Sequence, residues 1–104
     1  MRESDFRIES VKSVRILRLC SKDGTNRLTR RCVLWLTDAL QELARKELPL
    51  VIAGNDRFFS AGADLAEISA LDGPTAYEFS VIGQKLMDGI ENFPAPVLAV
   101  ISGY

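Results

Sequence analysis

The segment Leu50 to Leu65, LVIAGNDRFFSAGADL, constrains the fold more than any other part of the chain. Its continuous apolar run, Leu50 to Ala53, has the pattern of a strand covered on both faces, and it breaks into a loop punctuated by Gly54 and Gly62. Val97 to Ile101 repeats the apolar pattern. Two buried strands separated by helical sequence are expected to be joined by a right-handed crossover, which makes this an α/β unit. The loop between them carries the chemistry. Asp64 and Glu67 have the D-x-x-E spacing of a capping box, so a short helix is expected immediately after Ala63. Amides at a helix start are unpaired, the macrodipole there favours an anion, and Gly62 and Ala63 leave those amides uncovered. Donors fixed in this way suit an oxyanion site for a thioester enolate or a tetrahedral adduct.

The remaining elements follow from periodicity. Phe6 to Val11 and Val14 to Cys20 alternate apolar and polar residues around Lys12-Ser13, which predicts an antiparallel hairpin. A polar loop, SKDGTN, comes next. Thr29 is placed to cap a helix with Val33, Leu36, Leu40, Leu43 and Ala44 on its buried face, ending before Pro49. After Gly73-Pro74 a longer helix is expected to run to about Asn92, with Phe79, Ile82, Leu86, Ile90 and Phe93 as its buried stripe. The predicted order is β, β, α, β, α, α, β.

Composition narrows the functional classes. A content of 47% hydrophobic and 26% charged residues is that of a globular domain rather than a disordered one. No apolar run approaches a membrane span, and MRESDFRIES is too polar for a signal peptide, so a cytoplasmic protein is expected. Cys20 and Cys32 lack metal-type spacing and read as reduced thiols. With no histidine in the sequence, imidazole is removed as base, ligand or triad member, and no metal site is expected. Residues 1 to 50 carry 11 Lys+Arg against 7 Asp+Glu, whereas residues 51 to 104 carry 2 against 7. Lys22, Arg27, Arg30 and Arg31 concentrate that excess, either as a contact for the phosphates of a nucleotide-containing ligand or as a solvated basic face. The patch is too short, and too poor in interleaved aromatics, for nucleic acid.

The string FSAGADL after a buried strand, together with the later APVLAVISGY, resembles the crotonase superfamily of enoyl-CoA hydratases and isomerases. The resemblance implies a spiral of repeated ββα units, incomplete in this chain, with residues 1–104 as the N-terminal part of a single domain. Without it, the element order would equally permit part of a doubly wound sheet. It also implies an acyl-CoA thioester substrate, with coenzyme A entering as part of that substrate and no further cofactor. Ala63 N–H becomes the first of two oxyanion donors, and Ala61, Gly62, Asp64 and Leu65 surround the thioester. Thr25 and Arg27 become coenzyme A contacts, although the family usually has a small residue where Arg27 stands. A homotrimer or hexamer is implied as well.

In the family, the second donor and the catalytic glutamates lie beyond the position of Tyr104. The expected protein is therefore longer than this chain, and no carboxylate here is assigned as the base. Asp64 reads as a cap, while Glu67, Asp72 and Glu78 read as structural or solvated. Trp35 and Phe79 are weaker candidates for an acyl pocket. The alternative from a different class is a truncated, non-catalytic module that binds a CoA ester or a partner.

Overall fold

The computed structural model describes residues 5–104. The two alternating segments form β1 (Phe6–Val11) and β2 (Val14–Leu19), an antiparallel hairpin with Phe6 opposite Leu19 and Val11 opposite Val14. Lys12 turns the chain at a φ of 56°. A two-residue strand, β3 (Arg27–Leu28), precedes α1 (Arg30–Leu43), whose N-cap is Thr29: its Oγ1 accepts the Cys32 N–H at 3.1 Å. Then come β4 (Leu50–Ala53), a second two-residue strand β5 (Gly62–Ala63), α2 (Leu65–Ser69), α3 (Gly73–Glu91) and β6 (Val97–Val100). Asp72 starts α3 with a reciprocal capping box to Thr75, and Pro74 sits in its first turn.

The main sheet has the order β1-β2-β4-β6, antiparallel across β1 and β2 and parallel from β2 to β6. Register aligns Leu17 with Ile52 and Ile52 with Ala99, so strand alternation sends Leu17, Leu19, Leu50, Ile52 and Val97 to one face. There they join Val33, Leu36 and Leu40 of α1 with Leu86 of α3 and Phe93 just beyond it. Leu17 and Leu50 are almost wholly buried, and each contributes about 1.5–3 kcal/mol through removal of its side chain from water. Phe79, Ile82 and Ile90 complete the α3 stripe as half-buried residues.

The structure corrects two expectations. Val97 to Ile101 is not covered on both sides, because β6 is the outer strand and its second face carries no helical layer among the described residues; Leu98 is 61% exposed and Val100 54%. Strands β3 and β5, absent from the predicted order, pair in parallel as a separate sheet, Arg27 with Gly62 and Leu28 with Ala63. The cysteines are free, and Cys32 is buried. Burial pushes its thiol up to about 11, which keeps it protonated and unreactive near neutral pH.

Candidate functional site

Two asparagines seat the loop that follows β4. Asn55 Oδ1 accepts the N–H groups of Arg57 and Phe58, both at 2.9 Å, and its Nδ2 donates to Gly24 O at 2.8 Å. Asn26 lies deeper, at 3% exposure and in the left-handed region at φ 54°. Its Oδ1 accepts Ser21 N–H at 2.9 Å, and its Nδ2 donates to Phe58 O at 3.2 Å and Phe59 O at 3.1 Å. Ser60 Oγ donates to Asn26 O at 2.7 Å and accepts Gly62 N–H at 3.0 Å. In the sequence Asn26 reads only as a loop residue. The available signal was its type, since Asn tolerates left-handed backbone and bonds nearby peptides. Asn26→Ala strands Ser21 N–H and Phe59 O and leaves Phe58 O to Asn55 N–H alone, and it is expected to cost about 2–3 kcal/mol in denaturant unfolding of the full-length protein. Asn26→Asp keeps the Ser21 acceptor but sets a carboxylate oxygen against Phe58 O and Phe59 O, so it should be at least as damaging.

Beside the β3–β5 pairing, three bonds at regular steps hold the segment 61–67 against the segment 25–30. Ala61 N–H donates to Thr25 O at 2.9 Å, Asp64 N–H to Leu28 O at 3.2 Å, and Arg30 N–H to Glu67 Oε1 at 2.8 Å. Successive amides along a strand face opposite edges, so the Asp64 N–H that meets Leu28 turns Ala63 N–H away from β3. Gly62 makes this path possible at φ 89°, where any other residue would be strained. Asp64 caps α2 as expected, accepting Glu67 N–H at 3.1 Å. The expected capping box is only half formed. Asp64 N–H is committed to Leu28, and the Glu67 carboxylate reaches the start of α1 instead of returning to residue 64.

Thr25, Arg27 and Asp64 line one polar groove of about 500 Å³, together with Ser21, Lys22, Asp23 and Thr29. Ala61 and Leu65 are exposed, Gly62 and Ala63 half-buried. Within the groove Thr25 and Arg27 already share a partner. Asp23 accepts from Thr25 N–H at 3.0 Å and Thr25 Oγ1 at 2.7 Å, and it pairs with Arg27 at 3.3 Å. These bonds, the Thr25 amide first, hold the Asp23 carboxyl below its usual range. Of the basic cluster only Lys22 and Arg27 share this groove. Arg30 pairs with Glu78 of α3 at 2.9 Å, and Arg31 stacks over Trp35 with its Cζ 5.0 Å from the ring centroid.

An apolar cavity of about 280 Å³ opens between the sheet and the two long helices, lined by residues that include Leu17, Ile52, Leu86, Met87 and Val97. Its link to the loop is Phe59 and Ser60; neither Trp35 nor Phe79 lines it. The 101–104 segment runs beside the same loop, where Tyr104 O accepts from Phe59 N–H at 2.6 Å and Ser60 N–H at 3.2 Å. Among the described residues there is no cluster of three or more His, Cys, Asp or Glu that could hold a metal, and no helix long and apolar enough to cross a membrane.

Residues 9–104 match the family model described as enoyl-CoA hydratase/isomerase. A Bacillus subtilis (strain 168) protein named probable enoyl-CoA hydratase is 46% identical over 55 residues, which is 52% of this chain and 21% of that protein. The crotonyl-CoA hydratase of Syntrophomonas wolfei is 29% identical over 100 residues, 93% of this chain and 38% of the relative. Among solved structures, the enoyl-CoA hydratase of Thermoplasma volcanium superposes with a TM-score of 0.90 at 24% identity, covering 98% of this chain and 42% of that one. The chain thus spans well under half the length of these proteins. The fold agreement over nearly the whole chain bears out the crotonase-like α/β architecture, present here in part. With the family model matching from β1 through the FSAGADL loop to Tyr104, this chain belongs to the enoyl-CoA hydratase/isomerase family.

Proposed function

We propose that the full-length protein acts on acyl-CoA thioesters, in the manner of an enoyl-CoA hydratase or isomerase, and that Ala63 N–H is one donor to the thioester oxygen. The observation that carries the reading is the Ala63 amide itself, turned away from β3 while its neighbours are bonded in place. A donor held by its neighbours does not have to reorganise when charge develops on the oxygen, which is what makes such donors effective in a transition state. The thioester would lie along Ala61, Gly62, Asp64 and Leu65. Coenzyme A would follow the polar groove past Thr25 and Arg27, where a phosphate would have to draw Arg27 from Asp23. The apolar cavity beside Phe59 supports an acyl chain as the other half of the substrate.

In this mechanism the chain's contribution is polarisation. Hydrogen bonding to the thioester C=O lowers the energy of the enolate, and acid and base groups outside residues 1–104 would move the protons. The two carboxylates that follow Ala63 most closely are otherwise engaged: Asp64 by the start of α2 and Glu67 by the start of α1. No metal or redox group is needed for this chemistry, and assembly as a homotrimer or hexamer belongs to the same proposal. The direct test is to incubate the full-length protein with a short 2-enoyl-CoA in water. Loss of the conjugated enoyl absorbance, with a product heavier by one water, is the expected result for a hydratase. A shifted double bond at unchanged mass would assign isomerisation. An unchanged thioester, from a protein shown to be folded, would overturn the activity.

A further inference from the structure

We infer that Glu67 is a positioning residue for the Ala63 amide, acting through the backbone of α2; the inference rests on the reading of Ala63 as an oxyanion donor. Beside the β3–β5 pairing and the Ser60 bridge from Asn26 O to Gly62 N–H, three bonds tie 61–67 to 25–30, and those from Ala61 and Asp64 are peptide to peptide. Only the third is made by a side chain. Glu67 Oε1 takes the Arg30 N–H at 2.8 Å, across 37 residues of sequence, at the N-terminal end of α1.

That position strengthens the contact. Arg30 N–H is one of the unpaired donors at the start of a 14-residue helix, and a carboxylate there meets both the donor and the positive end of the helix dipole. Thr29 Oγ1 serves Cys32 N–H, which leaves Arg30 N–H for Glu67. The guanidinium of the same residue pairs with Glu78, so residue 30 engages α2 through its backbone and α3 through its side chain.

The consequence reaches Ala63 because α2 is short and begins next to it. Asp64 caps α2 through Glu67 N–H, and Ala63 precedes Asp64 directly. Glu67 is therefore bonded at both ends, by its amide to Asp64 and by its carboxylate to α1. Releasing the carboxylate leaves the two-residue β3–β5 pairing and the 3.2 Å bond from Asp64 N–H to Leu28 O to fix the direction of the Ala63 N–H.

The test compares Glu67→Ala and Glu67→Gln in the full-length protein, by steady-state turnover of an enoyl-CoA and by amide hydrogen exchange at Arg30 and Asp64. A misaimed donor acts on the transition state more than on the bound thioester, so Glu67→Ala should lower kcat about tenfold with KM changed by less than about threefold. Exchange at both amides should rise by about tenfold as the contact opens locally. Glu67→Gln keeps an acceptor oxygen and should restore most of both. Faster exchange at Arg30 alone, with kcat and Asp64 exchange unchanged, would reduce Glu67 to a cap for α1 and overturn the inference. Ala63→Pro separates this failure from that of the parent reading. Full turnover in a folded Ala63→Pro protein removes the donor assignment and the inference with it, whereas lost turnover there beside an unaffected Glu67→Ala removes only the role of Glu67.

Discussion

Ala63→Pro is expected to lower kcat of the full-length protein by about 10²–10³-fold, the effect of deleting one oxyanion donor. Proline removes the N–H and little else. Its ring occupies an extended position, and the residue before it is Gly62, whose backbone accommodates the restriction that proline places on its predecessor. The N–H lost is the one turned away from β3, so the Leu28 bond to Asp64 and the Asp64 cap on α2 both remain available. A folding defect is separated from a catalytic one by far-UV circular dichroism and the denaturant midpoint, which should stay close to native values. Because the donor works harder as charge accumulates, the loss should fall mainly on kcat rather than on KM. Native turnover from folded Ala63→Pro would sink the assignment, whatever its effect on stability.

The legible parts of this molecule were those whose signal is local. The β1-β2 hairpin, the Thr29 cap, the α1 stripe and the place of Pro74 in the first turn of α3 follow from local signals, because alternation and three- or four-residue periodicity are read within one element. The pairing of Arg27-Leu28 with Gly62-Ala63 was not legible: two residues carry no period, and their register depends on contacts across more than thirty positions. Glu67 illustrates the same limit more sharply. Its spacing from Asp64 is that of a capping box, yet the tertiary contact with Leu28 claims the Asp64 amide and diverts the carboxylate to α1. Charge was legible as composition but not as arrangement, since Arg27, Arg30 and Arg31 each meet a different partner. The exposed second face of β6 shows that an apolar run reports the need for cover and not its source.

Gly54→Ala should be severely damaging to the loop scaffold, with an expected loss of about 3 kcal/mol, at the upper end of ordinary overpacking. A Cβ at residue 54 would lie 2.3 Å from Phe58 O, 2.7 Å from Phe59 Cα and 2.8 Å from Phe59 O. All three are backbone atoms, so no side chain can rotate to make room, and the loop itself has to move. The carbonyls displaced are the two that Asn26 Nδ2 holds at 3.2 and 3.1 Å. Gly54 and Asn26 therefore act on the same pair of peptides, one by leaving space and the other by bonding. Their substitutions should be strongly non-additive: once Gly54→Ala has pushed the loop away, Asn26→Ala has less left to lose. A double-mutant cycle in denaturant is expected to give a coupling of about 1–2 kcal/mol, against a few tenths for independent sites. An unchanged midpoint for Gly54→Ala would show that the loop yields freely, and additive losses would show that the two residues do not share it. Since Ser60 links Asn26 O to Gly62 N–H, the displacement should also reach Ala63, and Gly54→Ala should lose turnover under conditions where it remains folded.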